Sequence, residues 1–344
     1  MVKRVLLRAL VAALILTVLA GAGAAYFWND LQRYARTPMG SDPAERAVRI
    51  PPGTGFQAVC NILVDRGLVH DPRRFKLLAR VRGLDKQLKA GNYRIKGDLS
   101  PEALLAALVS GREHLHRLTI PEGFNLVQIA DAVADAGFGE AEAFLKMIRD
   151  PAVAQQHDLP GDTLEGYLFP DTDLFPTETA HGEIVGAMVK RFQEQFPAEW
   201  KARAEALKMS VHEVVTLASI IEKETGDPKE RPLISSVFHN RLKKGMRLET
   251  DPTVIYGIED FDGNLKRKHL RTYTPYNTYK IKGLPPGPIA SPGAKALEAA
   301  LYPAESDYLY FVSRKDTTHQ FSTNIKDHNA AVRKYQLRRK RQKK

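Results

Sequence analysis

The chain has 344 residues, enough for two ordinary domains, and a composition (43% hydrophobic, 26% charged) typical of a folded protein. Its net charge of +11 suggests a polyanion partner, but Lys3, Arg4 and Arg8 precede the first apolar run and eight more basic residues crowd into RKYQLRRKRQKK (333–344). Neither stretch holds an acid, so residues 9–332 are neutral overall, which excludes a nucleic-acid-binding body.

Residues 1–8 read as a basic cytoplasmic N-terminus. The next segment, ALVAALILTVLAGAGAAYFW (9–28), carries no charge over 20 positions, enough for a helix to span a ~30 Å hydrocarbon core. The basic flank before it and Tyr26-Phe27-Trp28 at its far end orient it with the N-terminus in the cytoplasm. The rival reading is a cleaved signal peptide, since AGAGAA (20–25) offers small-residue cleavage sites, but the run is long for that role. On either reading the rest of the chain is exported. No cysteine closely follows the run, which argues against a lipoprotein anchor. The single cysteine, Cys60, has no intramolecular disulfide partner and falls in an apolar helical pattern as a small core residue.

Residues 29–48 are polar with Pro and Gly and read as a linker. An internal near-repeat follows: IPPGTGFQAVCNILVDRGL (50–68) aligns without gaps on IPEGFNLVQIADAVADAGF (120–138), matching Ile50/Ile120, Pro51/Pro121, Gly53/Gly123, Asp65/Asp135 and Gly67/Gly137 at an offset of 70. Each copy predicts a strand end, a Pro-Gly turn, an amphipathic helix and a Gly stop. A helix at 71–83, a strand at 88–95 and a helix at 100–111, with Ser100 as cap and Pro101 first, complete a segment at 49–118. Its strand–helix–helix–strand order resembles a LysM-type glycan-binding module, although many small packing subdomains share that order.

From 119 to 330 the pattern predicts helices at 126–137, 140–149, 182–194, 197–208, 211–225, 230–243 and 294–301, and strands around 118–120, 253–256, 308–312 and 319–322. They alternate without a regular βαβ beat. The fold class is therefore α+β: an N-terminal transmembrane helix, a LysM-like βααβ subdomain, then a mixed α/β catalytic domain. The tail 331–344 reads as a solvated run, or as a contact for anionic lipid or an acidic partner.

The segment VHEVVTLASIIEKET (211–225) concentrates the chemistry. At 100° per residue its apolar side chains share one face, Lys223 points to solvent, and Glu222 and Glu224 fall on opposite shoulders of the buried face. Partial desolvation there raises a carboxyl toward the range of a general acid, and helix periodicity does not choose between the two. Shoulder glutamates also commonly make surface ion pairs. EGYLFPDTD (165–173), RLETDPTVIYG (247–257), TPYNTY (274–279), GLPPGPIASPG (283–293) and YLYFV (308–312) supply the aromatics, Asn, Asp and Thr that sugar sites use. The ten histidines show no HExxH motif, and His328 fits a capping or core role. No nucleophile elbow, P-loop or dinucleotide fingerprint occurs, and no cofactor is implied.

These motifs together, in order over about residues 45–330, closely resemble the endolytic murein transglycosylase (YceG-like) family. The resemblance implies a peptidoglycan lytic transglycosylase in the bacterial cytoplasmic membrane, single-pass, with its catalytic domain outside. It would cut the MurNAc–GlcNAc β-1,4 bond of nascent strands to leave 1,6-anhydroMurNAc ends. The signature glutamate, first of the pair, matches Glu222, leaving Glu224 in support. Glu165, Tyr167, Thr250, Asp251, Tyr276, Asn277 and Tyr279 are the expected glycan-binding residues. No metal is implied, and synthases and division or elongation proteins are the implied partners. The alternatives are a two-carboxylate muramidase using Glu222 with Glu165 or Asp251, and a non-catalytic glycan-binding scaffold.

Overall fold

The computed structural model describes residues 2–111, 115–176, 179–225 and 227–337. The basic run 338–344 lies outside the described residues. The chain divides into two compact units, one up to Leu115 and the other from His116, with Pro176 counted to the first.

The first unit begins with α1 (Val2–Arg36). Within it, Ala13–Arg36 is long and apolar enough to cross a membrane, the one such helix among the described residues. Leu14, Ile15, Leu16, Val18 and Leu19 all stand more than half exposed, an apolar surface that water disfavours. Residues 29–36, expected as linker, are instead the last turns of this helix. Leu31 and Ala35, one turn apart, are buried in the core of the unit.

Strand β1 (Glu45–Ile50), α2 (Phe56–Asp65), α3 (Pro72–Val81), β2 (Gly91–Lys96) and α4 (Pro101–Ser110) follow. The strands pair antiparallel from Glu45↔Lys96 to Ile50↔Gly91. Val48, Ile50, Tyr93 and Ile95 form their inner face against Leu63, Phe75, Leu78 and Leu105. The helix starts follow from sequence: Asp71 and Ser100 cap α3 and α4, each with proline next.

The second unit continues with β3 (Leu115–Thr119), α5 (Leu126–Asp135), α6 (Ala141–Ile148), α7 (Pro151–Gln156), β4 (Thr172–Pro176), α8 (His181–Gln195), α9 (Ala198–Ala206), α10 (Val211–Glu224) and α11 (Arg231–Lys243). Then come α12 (Asp251–Tyr256), α13 (Arg267–Arg271), α14 (Ala294–Leu301), the antiparallel hairpin β5 (Tyr310–Ser313) and β6 (His319–Ser322), and α15 (Ile325–Val332). One core gathers around α5, α6 and α8, and another around α10, α11 and α14. The strand expected at 253–256 is helical. Its β-branched Thr-Val-Ile run resembles a strand, but Pro252 sits in the first turn of α12, where its missing N–H costs nothing.

The near-repeat is structural. Helices α2 and α5 start and stop 70 residues apart, and the turn glycines Gly53 and Gly123 share φ of 77° and 79°. Both helices end on equivalent bonds, Leu68 N–H to Leu63 O and Phe138 N–H to Val133 O. Even the side chain bracing that end is matched in position: Arg46 donates to Gly67 O (2.7 Å), and His116 Nδ1 meets Ala136 O (2.9 Å). Strand β3 pairs with β4, so the strand–helix–helix–strand order recurs in the second unit, with α7 inserted.

Gly166 joins the two cores of the second unit. Its φ is +83°, and a Cβ there would sit 2.6 Å from Pro288 and 2.9 Å from Val215. Gly166→Ala should therefore destabilise the protein by about 2 kcal/mol or more, through both the left-handed backbone and the clash. Thermal unfolding of the detergent-solubilised protein checks this, and an unchanged midpoint would refute it.

Candidate functional site

The site is organised by the end of α10. Ser210 and Glu213 close a capping box at its start, and Val214 through Ile221 are all buried, packing against α14 and α11. Beyond Ile221 three successive side chains diverge. Glu222 turns to Arg231, the Lys223 ammonium donates to Gly123 O (3.0 Å), and Glu224 turns to Thr250.

Both oxygens of Glu222 are engaged. Arg231 Nη2 lies 2.6 Å from Oε1, and the Gly293 N–H at the start of α14 donates to Oε2 (3.1 Å). The side chains of Glu222 and Arg231 are only 6% and 7% exposed. Arg231 also reaches Glu122 at 3.6 Å, on the Pro-Gly turn of the second repeat. That turn is stitched to the proline-rich loop by Gly123 N–H to Ser291 O and Ser291 N–H to Phe124 O, each 2.8 Å. Burial pushes the Glu222 carboxyl up, while the Gly293 N–H and Arg231 pull it back. This cluster ties the ends of α10, α11 and α14 to one turn.

Glu224 has different surroundings. It is half-buried and accepts a hydrogen bond from the Thr250 hydroxyl. Burial, with a smaller push from Asp251, raises its carboxyl to about 7 against the opposing effects of Thr250 and Arg241. No cation pairs with it within 4 Å among the described residues; Arg241 is held by Leu309 O (2.6 Å), Leu248 O (2.8 Å) and the Tyr310 ring. Glu224 lines two clefts, one of about 660 Å³ with Asp227, Thr317 and His319, the other of about 380 Å³ with Asp251, Tyr279, Tyr310 and His328. In the second, the Tyr279 hydroxyl donates to Asp251 (2.8 Å), and His328 stacks on Tyr310 at 5.2 Å. Glu249, just before Thr250, takes a φ of +52°, a rare conformation for a side chain with a Cβ.

Glu165 and Tyr276 line a third cleft of about 770 Å³, with Tyr256. Glu165 is 4% exposed; its Oε2 accepts from Leu126 N–H (3.2 Å) and the Tyr256 hydroxyl (2.9 Å), and burial raises it to about 7. The structure therefore brings Glu224, Thr250, Asp251 and Tyr279 together and sets Glu165 and Tyr276 apart from them.

Two expected glycan contacts are corrected. Tyr167 is fully buried in the core, packed edge-on against Phe192, and its hydroxyl bonds His212 Nδ1 (2.9 Å). His212 Nε2 faces the Pro286 carbonyl (2.8 Å), which can only accept, so Nε2 carries the proton and Tyr167 donates. Asn277 is equally buried. Its amide donates to His269 O, Leu270 O and Thr272 O, and its Oδ1 accepts from Tyr279 N–H, so it braces the loop carrying Tyr276 and Tyr279. Sequence reasoning missed Arg231 and Arg241. Arg231 meets Glu222 across a chain reversal, at a spacing no helical pair rule detects.

The YceG-like family model matches residues 48–334. The chain is 34% identical over 304 residues to an endolytic murein transglycosylase of Bacillus subtilis, covering 84% of each protein. It is 32% identical over 319 residues to an endolytic murein transglycosylase of Streptococcus pneumoniae, covering 83% of this chain and 57% of that longer one. A crystal structure of a YceG-like protein from Listeria monocytogenes matches with a TM-score of 0.58 and 35% identity, over 83% of this chain and 98% of that one. The fold and the site thus define an α+β protein with a carboxylate-centred cleft. The chain belongs to the YceG-like family.

Removing Arg231 would strand a buried carboxylate. Arg231→Leu should cost about 3–5 kcal/mol, and Glu222→Gln combined with it should cost less than the sum of the two. A double-mutant cycle by thermal unfolding measures this, and strict additivity would show that the pair is uncoupled.

Proposed function

We propose that this chain is a membrane-anchored endolytic murein transglycosylase in which Glu224 is the catalytic acid and base. The observation that carries the reading is the environment of Glu224: a carboxyl raised to about 7, not paired with a cation among the described residues, at a point shared by two open clefts. A carboxyl in that range has both protonation states at hand near neutral pH. Space on both sides of it suits a strand that enters and leaves, as endolytic cutting requires. The relatives' shared name supplies the substrate class.

Glu224 protonates the glycosidic oxygen as the MurNAc–GlcNAc bond breaks, while the 2-acetamido group stabilises the oxocarbenium-like centre. As carboxylate, Glu224 then takes the proton of the MurNAc 6-hydroxyl, which closes on the anomeric carbon to give a 1,6-anhydroMurNAc end. The Thr250 hydroxyl orients the acid, and Tyr279 fixes Asp251 in the same cleft. Glu222, the residue indicated by the sequence resemblance, is the poorer acid because both its oxygens are committed to Arg231 and Gly293. We assign it to holding the end of α10.

In the same reading α1 anchors the protein in the cytoplasmic membrane with the catalytic unit outside, raising its local concentration near nascent strands. The β1–α2–α3–β2 module serves as a LysM-like glycan holder, and peptidoglycan-synthesis and division proteins are the partners. One observation favours a second reading. Asp251 beside Glu224 supplies the second carboxylate that a muramidase uses to activate water.

Mass spectrometry of products released from uncrosslinked glycan strands separates the two readings. Anhydro ends are expected, and reducing ends would make the enzyme a hydrolase. Glu224→Gln should lower turnover by at least about 100-fold with folding intact, whereas Glu222→Gln should mainly lower stability. Because the free enzyme must carry the protonated acid, kcat/KM should fall as pH rises through about 7. A pH profile flat through that range would exclude Glu224 as the acid.

A further inference from the structure

The 770 Å³ cleft containing Glu165 is not used by the chemistry assigned to Glu224. Two cations line it. Lys223 is fixed by its bond to Gly123 O (3.0 Å), while the guanidinium of exposed Arg149 makes no ion pair or hydrogen bond among the described residues and acts on Glu165 only through its charge. Deep in the cleft, Glu165 is 4% exposed, and its Oε1 is sealed from solvent without a hydrogen-bond partner among the described residues. Gln128 spends its carbonyl oxygen on Asn125 N–H (3.1 Å), and its amide nitrogen bonds nothing among the described residues. Tyr256 and Tyr276, with ring centroids 4.7 Å apart, supply an aromatic wall, and Glu259 is a further carboxylate of the lining.

This set of groups does not suit a bare sugar chain. In peptidoglycan the glycan backbone is uncharged wherever a peptide is attached, because the lactyl carboxyl of MurNAc is then consumed in an amide. The charges reside on the attached peptide, as carboxylates and the amine of its diamino residue. An unpaired guanidinium, an ammonium, a free amide nitrogen and an aromatic wall match carboxylates and amides. Glu259 matches the amine.

We propose that this cleft is a stem-peptide site, binding the carboxylate-bearing peptide of the glycan strand through Arg149 and Lys223. The inference rests on the substrate class given above. The cleft lies along α12, whose first residue, Asp251, lines the Glu224 cleft and whose Pro252, Ile255 and Tyr256 line this one. A bound peptide would therefore fix the register of the strand at the acid.

The test titrates the detergent-solubilised full-length protein with a free tripeptide, L-Ala-γ-D-Glu-diaminopimelate, by calorimetry. Kinetics are then compared on peptide-bearing strands and on strands stripped of peptide. The expected result is saturable tripeptide binding, weakened at least about tenfold in Arg149→Ala and largely retained in Arg149→Lys, with unchanged thermal unfolding in both. Wild type should also show a lower KM on peptide-bearing strands, a preference lost in Arg149→Ala. No saturable binding, or equal affinity in wild type and Arg149→Ala, would overturn the proposal. The arms fail separately: peptide binding without cleavage of any strand would contradict the transglycosylase reading and leave the site standing, whereas equal cleavage of both strands without peptide binding would do the reverse.

Discussion

A buried ion pair at the end of one helix sets the geometry of everything around it. Glu222 and Arg231 meet at 2.6 Å with almost no exposure, and the Gly293 N–H completes the carboxylate. Such a pair contributes little net stability over an apolar replacement but is costly to break, so it selects one arrangement of the elements it joins. Those elements are the ends of α10, α11 and α14 and the Pro-Gly turn of the second repeat. Once the end of α10 is fixed, the direction of Glu224 is fixed as well.

Two glutamates separated by one lysine thus reach opposite outcomes. One is raised by burial but opposed by a backbone N–H and an arginine, which tie it to the neighbouring elements. The other is raised by burial, bonded to a threonine hydroxyl, and left facing open clefts. The difference arises from which neighbours the fold delivers to each side of the helix. The repeat shows similar divergence from a shared plan. In the first unit the turn at Pro51–Gly53 is exposed, while its counterpart at Pro121–Gly123 is joined to the proline-rich loop and Arg231.

Much of this was legible in the sequence. Periodicity located α10 and its two shoulder acids, and the offset of 70 located two helices with matching ends. The cap at Ser100 marked a helix start. What was not legible depends on contacts between distant segments. The pairing of Arg231 with Glu222 crosses a chain reversal, so the first glutamate of the pair looked as free as the second. Tyr167 and Asn277 sit in motifs rich in sugar-binding residue types, yet both are core residues, because composition does not report which way a side chain points. Residues 253–256 looked extended because Thr, Val and Ile favour strands, but the proline in the first turn favoured a short helix. The linker was misjudged because its buried residues, Leu31, Ala35 and Val48, are few and widely spaced among polar ones.

The central claim is that Glu224, not Glu222, is poised as an acid. Its most direct test is a carbon-detected NMR titration of the protein labelled at glutamate carboxyls, with the Glu224 resonance assigned by its loss in Glu224→Gln. The account predicts a midpoint near 7 for that resonance. A midpoint near the ordinary value of 4.5 would contradict it.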